Sequence, residues 1–224
     1  MRPLLVLALA CTPLLGATKE PERRLEESAA VLSEIMSTPD KGIPRDLLEK
    51  ANCLVIVPAL KKGAFVVGGQ YGKGFLSCRN RNDGGWSAPG AVRMEGASVG
   101  FQIGGSETDL IMLVMNQRGA DKLLSSELTL GAESEIAAGP VGRSATAETD
   151  ALMRAEIMAW SRSRGVFAGI ALKGSTLRQD LDDNEALYGK KLESRDIVTS
   201  DVAPPPAATR LLELLSRYSS HGGG

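Results

Sequence analysis

Histidine is almost absent from this sequence. The one residue is His221, followed by Gly222, Gly223 and Gly224. Ser-His triads, Cys-His dyads, His-rich zinc sites and His-ligated haem therefore lack their usual imidazole. Cysteine is scarce as well: Cys11, Cys53 and Cys78 form no C-x-x-C and no zinc spacing, so no metal or cofactor is expected. Aromatic residues are few, with four Phe, three Tyr and two Trp, which leaves glycine and the aliphatics to shape the fold. Neither sign of charge dominates. With 26 Lys and Arg against 27 Asp and Glu the net charge is −1, so nucleic acid is not an expected partner. There is no repeat with a period of 20–50 residues, which excludes a solenoid.

What is present fits an ordinary globular domain. Of 224 residues, 43% are apolar and 24% charged, enough for a sizeable core. Glycine is abundant at 25 residues, and twelve of these fall between positions 63 and 105. That density favours twisted strands and tight turns.

The chain opens with Met1 and Arg2, then runs apolar from Pro3 to Ala17 before Lys19 and Glu20. One positive charge, a short apolar run and small closing residues predict a signal peptide over residues 1–17 and export to the periplasm or cell envelope. The run is too short for a comfortable membrane span. Two alternatives stay open: lipoprotein processing at Cys11, after Ala8–Ala10, or an uncleaved buried helix. Export would expose Cys53 and Cys78 to oxidising conditions, where they could pair. The simpler reading, preferred here, is two buried thiols on neighbouring strands.

The main domain is expected over residues 18–200. Leu25, Ala29, Leu32, Ile35 and Met36 recur at helical spacing and predict a helix over 20–37. Pro39 ends it, and Pro44 fits the first turn of a second helix near 44–51. Cys53–Val57 reads as a buried strand, followed by short runs at Ala64–Val67, Phe75–Cys78 and Val99–Ile103. Asp109–Met115 reads as a central strand and 118–126 as a short helix. A hairpin is expected over 155–172 and a small helix over 182–188. A linker at Ala203–Pro206 leads, within 201–224, to a terminal helix with Leu211, Leu212, Leu215 and Tyr218 on one side. The fold class is α+β: a twisted, mostly antiparallel sheet flanked by N- and C-terminal helices.

Charge is unevenly spread. Residues 41–81 carry eight Lys and Arg against two Asp and Glu, an asymmetry that suits an anion-facing surface. Lys61, Lys62, Lys73, Arg79 and Arg81 are the candidate phosphate contacts there. Other motifs are weaker. Gly96–Gly100 matches G-x-S-x-G, but a hydrolase using Ser98 would need a strand-to-helix turn and a histidine. Gly68–Gly74 fails the P-loop pattern, with Val67 and Gly74 in the wrong places. Asp180–Glu185 resembles the start of a calcium loop but has Glu185 where the turn glycine belongs, so a solvated helix start is expected.

Several segments in order carry a resemblance: LVIVPALKKGAFVVGG (Leu54–Gly69), GKG (Gly72–Gly74), GWSAP (Gly85–Pro89) and GASVGFQIG (Gly96–Gly104). TDLIML (Thr108–Leu113), AGPVGR (Ala138–Arg143), WSRSRGVFAG (Trp160–Gly169) and Tyr188-Gly189 follow. From about residue 25 to about residue 190 the chain resembles the Ysc84/SYLF domain family. The resemblance implies a lipid-binding module without catalytic residues. Eukaryotic relatives bind phosphoinositides, some bind actin filaments, and they often carry an SH3 or FYVE domain. With its apparent signal peptide this chain resembles a bacterial secreted or envelope member, for which actin is not an expected partner.

The expected function is non-catalytic binding of anionic phospholipid, with phosphoinositide-like headgroups, at a membrane surface. The alternatives are a structural envelope protein that binds another protein and, last, the Ser98 hydrolase.

Overall fold

A computed structural model describes residues 19–38, 42–64, 68–80, 84–98, 104–140, 155–163, 166–167 and 172–220. The expected signal peptide, Cys11, Arg81 and the strand at Val99–Ile103 lie outside the described residues.

Helix α1 (Lys19–Ser37) buries Leu25, Ala29, Leu32 and Ile35, the stripe that the spacing predicts. After it comes the short α2 (Arg45–Lys50), whose N-cap is Pro44 and whose Leu47 and Leu48 face the core. Four long strands form the centre: β1 (Cys53–Ala64), β2 (Gly68–Cys78), β3 (Gly90–Ser98) and β4 (Gly104–Val114). Then follow α3 (Gln117–Leu123), β5 (Glu127–Thr129), β6 (Ile136–Ala138), β7 (Ile157–Ser163), β8 (Val166–Phe167) and β9 (Thr176–Gln179). Helices α4 (Leu181–Tyr188), α5 (Ser194–Thr199) and α6 (Thr209–Ser219) complete the described chain.

The strands make one nine-stranded sheet in the order β5-β9-β3-β2-β1-β4-β7-β6, with β8 also on β7. All pairings are antiparallel except β6 with β7. The fold is therefore the expected α+β arrangement. β5, β6, β9 and α5 are additions to what the sequence predicts.

Alternation along the strands separates two cores. On the helix face, Leu54, Ile56, Phe75, Ile111, Leu113 and Trp160 pack against α1, α2 and α6. From α6 come Leu211, Leu214 and Leu215, so it shares one core with α1, and Leu214 joins the stripe in place of the half-buried Leu212. On the other face, Val55, Val57, Leu76, Met94, Leu110 and Met112 form a second cluster. It joins Leu128 and Leu177 from one edge to Ile157 and Ala159 near the other, so the sheet curls around it. Each fully buried Leu, Ile or Phe contributes about 1.5–3 kcal/mol to holding these layers together.

One irregularity shapes the centre. β1 carries an extra residue around Pro58-Ala59, where its register shifts against both neighbours. Ala59 sits at φ 48°, and Asp109 Oδ1 accepts its amide at 3.0 Å. The bulge leans on β2, where Gly72 and Gly74 have no side chain to obstruct it.

The structure corrects one expectation. Cys53 and Cys78 are not free thiols but a disulfide. They are direct cross-strand partners with Cα atoms 3.9 Å apart, so their side chains leave the same face and meet.

Candidate functional site

The strand register, not the spacing along the chain, decides where the candidate cations go. Lys61 and Lys62 are consecutive in β1, so they project from opposite faces. Lys61 stands on the helix face, beyond the ground the helices cover, in a cross-strand row that reads Glu95, Tyr71, Lys61, Glu107. Its side chain is 72% exposed, and its ammonium lies 3.9 Å from Glu107. Tyr71 beside it is 47% exposed, one of two large hydrophobic residues left open among those described. Gly63 and Gly69 continue this surface as exposed, side-chain-free strand.

Lys62 stands on the inner face in the row Gly96, Gln70, Lys62, Ser106. It is half-buried, and burial pushes its ammonium below the ordinary lysine range. Gln70 is 5% exposed and bonds through Nε2 to Ser175.

The remaining cations serve the scaffold. The ammonium of Lys73 lies 2.8 Å from Asp180 and 3.0 Å from Asp183, at the start of α4. Burial works against its charge, yet its hydrogen bonds to both aspartates outweigh that and raise its pKa. Arg24 of α1 also reaches Asp183, so two cations and two carboxylates tie α1, β2 and α4 together. The expected solvated helix start is thus a buried charge cluster, with Asp180 capping α4 through the amide of Asp183. The carboxylates at this helix start are thus answered by Lys73 and Arg24 of the same fold.

Arg79 follows β2 at its far end, about 27 Å along the strand from Tyr71. It donates to the carbonyls of Gly84 at 2.9 Å and Glu49 at 3.0 Å, and stacks 4.4 Å from the Trp86 ring. Trp86 Nε1 in turn donates to Ser219 Oγ at the end of α6. The described members of the expected set therefore do not converge on one face. Lys61 and Lys62 stand at the glycine-rich end, while Lys73 and Arg79 are engaged inside the fold.

Ser98 is the last residue of β3, paired with Gly68, and residues 99–103 that follow it lie outside the described residues.

Two of the clefts among the described residues lie elsewhere. One, of about 720 Å³, is lined by Arg118, Lys122, Glu133, Glu135, Glu156 and Lys173, a balanced set of charges. Glu156, 5% exposed, accepts from Lys122 at 2.7 Å and lies 3.1 Å from Arg118 Nε. Burial alone would raise its pKa, but the Lys122 hydrogen bonds and the amide of Glu135 lower it. The other cleft, of about 750 Å³, lies over the disulfide.

Tyr71, Gln70, Ser106 and Ser175 escape sequence reasoning. Period-two alternation already parts Lys61 from Lys62, but only the hairpin register sets Lys62 beside Gln70.

Comparison with known proteins agrees with the ordered motifs. The family model Ysc84, described as "Las17-binding protein actin regulator", matches residues 95–218. LAS seventeen-binding protein 3 of Saccharomyces cerevisiae is 36% identical over 193 residues, covering 83% of this chain and 41% of that protein. SH3 domain-containing YSC84-like protein 1 of Mus musculus is 32% identical over 210 residues, 92% of this chain and 61% of that one. Protein YSC84 of Saccharomyces cerevisiae is 37% identical over 180 residues, 79% of this chain and 38% of that one. The chain thus spans about two fifths to three fifths of the length of these relatives.

Proposed function

Because the chain belongs to the Ysc84 family, we propose that it is a non-catalytic docking module whose glycine-rich sheet end engages an anionic phospholipid surface. The observation that carries the reading is the cross-strand pairing of Lys61 with the open Tyr71 on a part of the sheet that the described helices leave bare, with Lys62 on the opposite face of the same sheet end. A tyrosine beside a lysine suits the boundary between headgroups and acyl chains, where an amphipathic ring and a near-surface cation both gain. Each such cation contributes about 1 kcal/mol, so two support reversible attachment only. We also propose export, as the amino-terminal sequence suggests; the Cys53–Cys78 bond supports an oxidising compartment.

Flotation with phosphatidylcholine vesicles, with and without phosphatidylglycerol, tests the membrane reading. Wild type should float with the anionic vesicles and be released by salt. No flotation with either vesicle would end it. The second reading is a protein partner, favoured by the names of the relatives, two of which speak of binding another protein or carrying an SH3 domain. Flotation that salt leaves unchanged would turn the argument toward a docking mode without electrostatic attraction.

A further inference from the structure

The cleft of about 720 Å³ between α3 and the turn before β6 holds polar groups that the fold does not use. Glu156, 5% exposed, is answered there by Lys122 at 2.7 Å and by Arg118 Nε at 3.1 Å. Arg118 is otherwise open: its side chain is 80% exposed, and its Nη groups make no hydrogen bond among the described residues. Glu156 thus fixes the guanidinium and leaves its outer donors available. On the same cleft, Lys173 and Glu135 are exposed and in no ion pair among the described residues. Beside Glu135 stands Ser134, 4% exposed, whose hydroxyl is shielded from solvent without a hydrogen-bond partner. A buried hydroxyl of that kind carries a cost that a ligand reaching it relieves.

The charge pattern narrows the class of ligand. Three cations and three carboxylates line the cleft, so its net charge is zero. A simple anion would find Arg118 and Lys173 but also meet Glu133 and Glu135, and a simple cation would meet the reverse. A molecule that carries a carboxylate and an ammonium answers both signs at once. We propose that this cleft binds a zwitterion built from amino acids, a free α-amino acid or a short peptide with unblocked ends. The planar fork of Arg118 takes the carboxylate through its Nη groups, with Lys173 as a second attraction. Glu135 takes the ammonium. The Ser134 hydroxyl both donates and accepts, which suits a peptide group. Ile136, Ala137 and Ala155 supply the apolar part of the wall. The inference is independent of the membrane reading, which uses Lys61, Lys62 and Tyr71.

Titration of the full chain with trialanine tests it, followed by calorimetry and by the backbone amide NMR signals of Ser134 and Glu135. Trialanine is expected to bind and shift these signals. Trialaninamide and N-acetyltrialanine, each lacking one terminal charge, should bind about tenfold more weakly. Arg118→Gln, in which Lys122 still answers Glu156, should weaken trialanine about tenfold and leave trialaninamide unchanged. Glu135→Gln should weaken trialanine and leave N-acetyltrialanine unchanged. Ser134→Ala should hold Tm, because the hydroxyl has no partner to lose, and weaken trialanine several-fold. L-alanine identifies the source: binding as tight as that of trialanine supports a free amino acid, and weaker binding supports a peptide. If neither probe shifts the two signals at up to about 10 mM, the cleft binds no such zwitterion and the proposal falls. It falls equally if blocking either end of trialanine, or Arg118→Gln, leaves the affinity unchanged.

Discussion

The backbone of Gly74 lies so close to Ile56 that a methyl group on it would overlap the Ile56 carbonyl oxygen and stand 2.8 Å from Cα of Val57. The contact lies beside the extra residue at Pro58-Ala59, where the register of β1 shifts against its neighbours. Gly63, in the same sheet, would meet nothing within 4 Å. Gly74→Ala should therefore cost at least about 2 kcal/mol, and Gly63→Ala should stay within about 0.5 kcal/mol. Thermal melts of the two variants check this. Equal melting temperatures would mean that the bulge yields to a side chain.

The disulfide closes a loop between residues 25 apart in sequence. Constraining the unfolded chain over that length is worth about 3 kcal/mol. Cys53→Ala combined with Cys78→Ala should lower Tm by roughly 6–12 °C. A reducing agent should reproduce the loss in wild type and leave the double variant unchanged. Mass spectrometry of the intact protein, with and without reduction and alkylation, verifies the bond directly.

Glu156 gives the fold an acid limit. Its carboxyl is buried, but Lys122, Arg118 and the Glu135 amide hold its pKa below the ordinary 4.5. The folded state thus releases this proton more readily than the unfolded chain. Its stabilisation is complete above the unfolded value and fades as pH falls through the lower folded one. Glu156→Gln should lower Tm at neutral pH and flatten the fall of Tm between pH 5 and the acid limit. A parallel pair of Tm-against-pH curves would refute the assignment.

The elements that sequence reasoning finds are those with enough length to show a period. α1 repeats its apolar stripe over about three turns, from Leu25 to Met36, and the apolar run of β4 at the centre of the sheet is uninterrupted from Leu110 to Val114. β5, β6 and β9 have three or four residues each and show no period to read. The grouping of the cations fails for a different reason. Lys73 lies over a hundred positions from Asp180 and Asp183 in the chain, and nothing local to Lys73 announces those partners. Nor does local sequence place Arg79 against the carbonyl of Ser219 and the ring of Trp86. The opposed faces of Lys61 and Lys62, by contrast, follow from strand alternation alone.

These placements predict a division of labour among residues of one charge. Arg79→Lys keeps the charge but loses the planar fork that serves several carbonyls and stacks on Trp86. It should cost about 1–2 kcal/mol and leave vesicle flotation unchanged. Lys73→Met should likewise lower Tm, because it leaves Asp180 and Asp183 buried with only Arg24 to answer them. Reversing charge at Lys61→Glu and Lys62→Glu should do the opposite, holding Tm nearly constant while abolishing flotation with anionic vesicles. The two measurements on the same four variants separate scaffold from surface. If Arg79→Lys or Lys73→Met abolished flotation at a temperature where the protein remains folded, the cations would have to act as one set after all.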